Sequence, residues 1–283
     1  MVAVTQPTGP QATGPQATGL TRTSGTKRMV ALVHSEFTKI RTVRAPYMTL
    51  IALVVLSVGL SCLVSWVVAS HWATASASSK VGFDPTSVSL VGFIFGQMFI
   101  AVFGVLALTG EYATGMITAT LAAQPRRIDV YAAKALVVAA LAFVTGLLAG
   151  FVSFFACQAI LASTHASAKI GDPGVLRSVI GCGLFLAVCA LFSFAIAALL
   201  RSAAGGISTA IGALLIVPLL VMALPNGLSQ DITRWLPSAA GAAILAPVTQ
   251  SHAFSAWAGF GLFCAYTAIL LSAGLILFNQ RDS

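Results

Sequence analysis

Six long apolar segments constrain this chain more than any other feature of its sequence. They lie at roughly 47–70, 88–109, 131–161, 176–200, 207–224 and 254–279. Each is long enough for a helix to cross a hydrocarbon core of about 30 Å, with the fifth at the short end, and none carries a charge near its middle. Only 8% of the residues are charged, whereas a soluble domain carries about a quarter. We therefore predict an all-α membrane protein with about six transmembrane helices.

The two segments that precede the first apolar run differ from it and from each other. Residues 1–26 contain the near-repeat TGPQATGPQATG, a composition that predicts a disordered tail and not a signal peptide. Residues 27–45 predict an amphipathic helix, with Met29, Val33 and Phe37 on its apolar side and most basic residues opposite. We expect this helix to lie in the membrane interface, and a soluble helix docked on a partner is the alternative. Residues 46–283 then form the six-span domain.

Lys and Arg residues indicate the orientation of the spans. If the spans alternate, 11 of the 15 basic residues fall on the side of the N-terminus and four on the other side, namely Lys80, Lys169, Arg177 and Arg234. This asymmetry predicts a multi-pass plasma-membrane protein with both termini in the cytoplasm. A net charge of +8 can indicate binding to nucleic acid or to a lipid bilayer. Here the basic residues flank apolar runs and do not form a patch with aromatic residues, so we expect the bilayer, and not nucleic acid, as the partner.

Catalytic and metal-binding patterns are absent from the sequence. We find no HExxH, no GxSxG and no paired carboxylates on a helical face. Gly14–Thr21 has the glycine spacing of a phosphate-binding loop, but Leu20 stands in place of the essential lysine. The five cysteines lie inside apolar runs without a CxxC spacing, and His71, His165 and His252 are far apart in sequence. We expect no catalytic residue, no metal and no cofactor bound by this chain.

Polar and small residues inside the apolar runs allow fewer conclusions. Gln97 is the single strongly polar side chain deep in a run, and an interhelical hydrogen bond is preferred over a substrate contact for it. Small residues recur at helical spacing and predict close helix packing: Gly92 and Gly96; Gly146, Gly150, Ser153 and Cys157; Ser57, Ser61 and Ser65. Pro218 predicts a kink in the fifth run. The residues that bind a substrate cannot be named from the sequence.

Segments 110–130 and 225–253 are the two long connections. In the first, Glu111 ends an apolar run, a short amphipathic helix is predicted over 112–124, and Pro125, Arg126 and Arg127 follow. A charged helix on the cytoplasmic side suits docking of a soluble partner, and a solvated connection explains it equally well. The second, outer segment is long and mildly polar, so we expect short helices partly sunk into the membrane, with Trp235 as an interface anchor.

These segments resemble those of ABC-2 type transporter permeases. The order Glu111, Gly115, Leu121, Pro125, Arg126 and Lys134 is similar to the cytoplasmic coupling region of that family. HSEFTKIRTVR (His34–Arg44) looks like the amphipathic connecting helix that precedes the first span of these proteins. Six spans and a longer outer segment before the last one also match, so the resemblance covers about residues 27–283.

The resemblance implies an ABC-2 (ABCG-like) permease fold and the permease subunit of a bacterial ATP-binding cassette exporter. Efflux of an unknown substrate would be driven by ATP and Mg bound to a separate ATPase subunit, and two permease copies would form a homodimer. By this resemblance, the coupling residues are Glu111, Gly115, Pro125, Arg126 and Arg127. The alternatives are a nucleotide-independent channel or facilitator, which requires a polar stripe through several spans, a structural membrane subunit, and an intramembrane enzyme.

Overall fold

The computed structural model describes residues 25–42, 44–114, 127–164, 166–249 and 252–281. Most of these residues are helical, and the described ranges contain no strand. The predicted tail falls outside them except for residues 25 and 26, which open the first helix. The helices in chain order are α1 Gly25–Thr42, α2 Arg44–His71, α3 Ala77–Val81, α4 Pro85–Ser89, α5 Phe93–Thr114, α6 Arg127–Leu161, α7 Val175–Leu200, α8 Ala203–Ile211, α9 Val217–Met222, α10 Asn226–Thr233, α11 Pro237–Ala242 and α12 Ala256–Arg281.

Six of these elements are long and apolar enough to cross a membrane, which confirms the predicted number. We call them spans 1 to 6: α2, α5, α6, α7, the pair α8 and α9, and α12. The protein is thus a multi-pass membrane protein. Because consecutive spans run in opposite directions, α1, the last turn of span 2 and the first turn of span 3 lie at one end of the bundle, which we call the α1 side. Helices α3, α4, α10 and α11 lie at the other end, the far side.

Span 4 is the centre of the bundle. In its most apolar stretch, 72% of the residues are buried within the chain, against 17% for spans 5 and 6. Small residues let the neighbouring spans approach it closely. A Cβ at Gly104 of span 2 would overlap the carbonyl oxygen of Ala190, and a Cβ at Gly146 of span 3 would lie 3.0 Å from the carbonyl oxygen of Cys182. Close contact of this kind is how helices associate where lipid removes the hydrophobic driving force.

Helix α1 packs against spans 1 and 3 along one edge of its apolar side. Leu32 and Glu36, which are one turn apart, are buried there, whereas Val30 and Phe37 are exposed. Adjacent residues point about 100° apart on a helix, so the bundle and the membrane contact different parts of the apolar stripe. The polar residues His34, Ser35 and Thr38 are exposed on the rest of the α1 surface. This division fits a helix lying in the membrane interface.

Span 5 is interrupted by one turn of π-helix. The turn covers Gly212–Ile216 and separates α8 from α9, in which Pro218 occupies the second position. Proline has no amide hydrogen and tolerates the start of a helix, so it fits directly after a change of helical pitch. The sequence therefore located the irregularity at Pro218 but not its form, and π-turns inside helices occur frequently at functional sites.

The predicted outer segment contains two short helices, α10 and α11, and it is fastened to the far side at several points. The guanidinium of Arg177, at the start of span 4, donates to the carbonyl oxygens of Ala246 (2.7 Å) and Pro247 (2.9 Å). The Tyr266 hydroxyl of span 6 donates to the carbonyl oxygen of Trp235 at 3.2 Å. Trp235 is half exposed, as expected for an interface anchor. These bonds join the outer segment to the start of span 4 and to span 6.

Candidate functional site

Most of the residues predicted to couple this chain to an ATPase lie outside the described part of the structure. Gly115, Pro125 and Arg126 fall in the range 115–126, together with most of the predicted 112–124 helix. The backbone of Glu111 belongs to the last turn of span 2, and that of Arg127 begins span 3. The described structure therefore fixes the two ends of the coupling segment, both on the α1 side.

A buried ion pair lies directly beside this segment. Nζ of Lys134, in span 3, lies 2.5 Å from Oε2 of Glu36 in α1, and both side chains are almost wholly buried, 3% and 2% exposed. The two residues are 98 positions apart in sequence. Removing one partner of a buried pair is costly because the other charge stays in a low-dielectric environment. The pair thus fixes α1 to the first two turns of the span that follows the coupling segment.

Sequence reasoning identified both helices but not this contact. Lys134 was predicted only as the last residue of the coupling-region pattern, at the start of span 3, and Glu36 only as part of the connecting-helix motif. The available signal was the position of Glu36 on α1, one turn from Leu32 at the edge of the apolar stripe. A carboxylate at such an edge requires a buried cation, and Lys134 is a basic residue near the start of an otherwise apolar span.

Aromatic contacts join the remaining spans on the α1 side. The Tyr131 ring, in span 3, packs against Phe194 of span 4 and Phe278 of span 6, with centroids 5.1 and 5.7 Å away. Its hydroxyl donates to the carbonyl oxygen of Leu271 at 3.3 Å. Arg201, which ends span 4, places its guanidinium carbon 5.7 Å from the ring centre of Tyr112 in span 2. Spans 3, 4 and 6 are therefore packed together around Tyr131, and the end of span 4 lies against the end of span 2.

The serine series of span 1 forms a closed packing seam with span 2. Ser57, Ser61 and Ser65 are fully buried. The amide of Gly92 donates to Oγ of Ser61 at 3.0 Å, and a Cβ at Gly92 would overlap the carbonyl oxygen of Ser57. This confirms the predicted close packing. Ser57 and Ser61 therefore face span 2 at contact distance.

Gln97 lines a cavity between spans 2, 4 and 5. The cavity has a volume of about 250 Å³ and is mostly apolar, with Phe93, Leu214 and Met222 among its walls. Gln97 is 6% exposed, and its Oε1 has no hydrogen-bond partner among the described residues. An interhelical hydrogen bond, the role expected from the sequence, is therefore not made by this oxygen. A buried polar atom without a partner is costly and indicates a site for a ligand or water.

A second, more polar cavity lies next to the first one on the far side. It has a volume of about 340 Å³, and Gln230, Arg234 and His252 contribute its polar groups. The two cavities share three wall residues, Met222, Thr233 and Ala239. We call the two together the far-side cleft. Gln97 and Leu214, which lies in the π-turn of span 5, line the inner cavity, and Arg234 lines the outer one.

The chain matches no protein-family model and no curated protein.

Histidine and cysteine side chains form no metal site in the described part of the chain, where no group of three His, Cys, Asp or Glu residues comes together. The His71 ring bonds the carbonyl oxygen of Val67 in its own helix at 3.0 Å, and His165 lies outside the described residues. His252, in the far-side cleft, has a left-handed backbone φ of 71°, which is uncommon for a non-glycine residue. Cys62 and Cys157 bring their sulfur atoms within 3.9 Å of each other.

Proposed function

We propose that this chain is the membrane-spanning permease subunit of an ATP-binding cassette exporter of the ABC-2 type. A separate ATPase subunit would bind ATP and Mg and dock on segment 110–130. The observation that carries the proposal is the buried Glu36–Lys134 pair, because it joins an interfacial helix rigidly to the span that follows the docking segment. A six-span protein without this need has little reason to bury two charges at that position.

Force transmission follows from the contacts on the α1 side. Closure of two ATPase subunits on ATP would move segment 110–130, whose charged residues are Glu111, Arg126, Arg127 and Asp129, together with the first turns of span 3. The Glu36–Lys134 pair would carry α1 with that movement, and Tyr131 would carry spans 4 and 6. No chemical step is assigned to this chain, whose role is to convert the movement into opening and closing of the substrate pathway.

Two permease copies complete the proposed transporter. Span 5 exposes Ile216, Val217, Leu219, Leu220 and Met222, so most of its surface is uncovered within one chain. In the proposed homodimer, part of this surface contacts the second copy and the rest contacts lipid. The excess of basic residues on the α1 side supports a cytoplasmic location for that side and for both termini, in the plasma membrane.

The proposal is tested by gentle extraction of the tagged chain from its native membrane and mass spectrometry of the proteins that co-purify. We expect a stoichiometric ATPase subunit that carries a phosphate-binding loop. The charge variants Glu36→Lys and Lys134→Glu should retain this partner but lose ATP-driven transport, and the double exchange should recover part of it. A preparation without an ATPase in several mild detergents would contradict the proposal and favour a nucleotide-independent channel or a structural subunit.

A further inference from the structure

Cys62 of span 1 and Cys157 of span 3 bring two free thiols into contact. Their sulfur atoms are 3.9 Å apart, although the two residues are separated by 95 positions in the chain. We propose that these two residues, which we call the thiol pair, are a reversible oxidation site at which a peroxide forms a disulfide between spans 1 and 3. The site rests on the contacts around the two sulfur atoms and is independent of the proposed exporter function.

The thiol pair is close to the geometry that a disulfide requires. An S–S bond is about 2.05 Å long, so each sulfur has to move by only about 1 Å from the present separation of 3.9 Å. Spans 1 and 3 pack directly against each other, so their backbones already hold the two side chains together. Cys182 and Cys189, by contrast, are seven residues or about 10 Å apart along span 4, beyond the reach of a disulfide.

The two thiols differ in exposure, which gives them different roles. Cys62 is partly exposed, and its neighbour Leu63 is exposed by 54%, so an oxidant can approach span 1 here from outside the bundle. Cys157 is fully buried. Oxidation of cysteine follows exposure, so Cys62 is the thiol that meets the oxidant and Cys157 is the thiol that resolves the product. Hydrogen peroxide suits this position because it is small and uncharged.

A polar clamp covers Cys157. Nε2 of Gln158 donates to the carbonyl oxygen of Pro85 (3.2 Å) and to Oγ of Ser89 (3.0 Å), which are the first and last residues of α4. Its Oε1 accepts from the amide of Ala168 at 2.8 Å. The carbonyl oxygen of Ser89 lies 4.0 Å from the Cys157 sulfur. The amide thus fastens α4 beside this sulfur, and the contact that remains open to chemistry is the one with the other thiol.

The reaction takes two steps, and its atoms and electrons balance. First, Sγ of Cys62 attacks one oxygen of hydrogen peroxide: an S–O bond forms, the O–O bond breaks, and the leaving hydroxide takes the thiol proton as water. Next, Sγ of Cys157 attacks Sγ of Cys62: the S–S bond forms, the S–O bond breaks, and the leaving hydroxide takes the second thiol proton as water. Peroxide is reduced to water while both thiols are oxidised, and a dithiol reductant reverses the product by thiol–disulfide exchange.

The test uses the full chain, reduced and purified in a mild detergent, with hydrogen peroxide as the oxidant. The remaining thiols are then alkylated, and the peptides are analysed by mass spectrometry. We expect the Cys62–Cys157 peptide as the main product and its loss after treatment with dithiothreitol. Cys264 is the internal control because it is also partly exposed but the described structure shows no second sulfur beside it. Equal loss of the Cys264 thiol, mixed pairings, or a cross-link that forms only after unfolding would overturn the proposal.

Single variants separate the roles of the two thiols. Cys157→Ser should stop the reaction at a sulfenic acid on Cys62, which dimedone traps. Cys62→Ser should leave Cys157 unreacted, and adding Gln158→Leu to that variant should loosen α4 and make Cys157 reactive. Trapping of Cys157 in the Cys62→Ser variant alone would contradict the order of the two steps.

Unfolding measurements test whether the bond fits the fold. A disulfide between these residues closes a loop of 95 positions, so the equilibrium constant of unfolding should be about 100-fold lower for the oxidised than for the reduced chain. Cys62→Ala should abolish this difference. An oxidised chain no more stable than the reduced one would show that the bond strains spans 1 and 3, and it would overturn the assignment of the thiol pair as a built oxidation site.

Discussion

The Glu36–Lys134 pair provides the sharpest prediction about the energetics of this protein. Both side chains are almost wholly buried, so the variants Glu36→Gln and Lys134→Met each remove one charge of the pair and leave the other in a low-dielectric site. Breaking a buried pair in this way costs about 3–5 kcal/mol. Since 1.4 kcal/mol is a factor of ten, the equilibrium constant of unfolding should rise by a factor of at least about 100 in either variant.

The double variant Glu36→Leu/Lys134→Met distinguishes the pair from simple loss of packing. Replacing both charges with apolar groups removes the desolvation penalty along with the attraction, and such exchanges are often neutral or stabilising. The double variant should therefore be more stable than either single one. Unfolding by denaturant titration in a fixed mild detergent measures these free energies, and hydrogen exchange over residues 30–42 reports whether α1 detaches first.

Asp231→Asn is the control, because Asp231 is 64% exposed and its contact with Arg234 is 3.4 Å long. Exposed pairs contribute less than about 1 kcal/mol. Single variants of Glu36 or Lys134 that cost no more than this control would refute the argument that the pair is buried and fixes α1 to span 3.

The remaining predictions concern helix packing. Gly104→Ala should destabilise the fold by about 1–3 kcal/mol, because the new Cβ would overlap a carbonyl of span 4. The control Gly59→Ala should not destabilise it, because nothing lies within 4 Å of its new Cβ. Equal unfolding free energies of the two variants would contradict this packing. Mild oxidation should link Cys62 to Cys157, whose sulfurs are 3.9 Å apart, and a tryptic map without that cross-linked peptide would argue against the contact of spans 1 and 3. Arg177→Met should remove two charge-assisted bonds, cost about 2–3 kcal/mol and speed hydrogen exchange around residue 246; unchanged exchange there would show that Arg177 does not hold the outer segment.

The six spans could be predicted from the sequence because each one satisfies its backbone hydrogen bonds internally and displays its apolar character along the chain. Close helix packing at Gly92 and at the serines of span 1 was also predictable, since small residues at helical spacing favour it, but the pairing of these two helices was not. The π-turn of span 5 was only partly predictable. Pro218 indicates an irregularity, but the change of pitch before it depends on how span 5 packs against its neighbours.

Contacts between distant segments could not be predicted. The partner of Lys134 lies 98 residues away, and nothing in the local pattern of span 3 selects Glu36 over the other acids. Gln97 was noticed as a polar residue, but its lack of a partner depends on where spans 4 and 5 lie. The cleft around Arg234 was missed because its residues come from the outer segment, where sequence indicated only short helices and an anchor.

The most direct test of the proposed function is site-specific photo-crosslinking in living cells. A photoreactive amino acid is placed at Met116, in the predicted 112–124 coupling helix, and in a parallel chain at Ser78, which is exposed on the far side. The account predicts an adduct from position 116 with an ATPase subunit that carries a phosphate-binding loop, and none from position 78. No ATPase adduct from position 116, or one from position 78, would contradict the assignment of segment 110–130 as the cytoplasmic docking site.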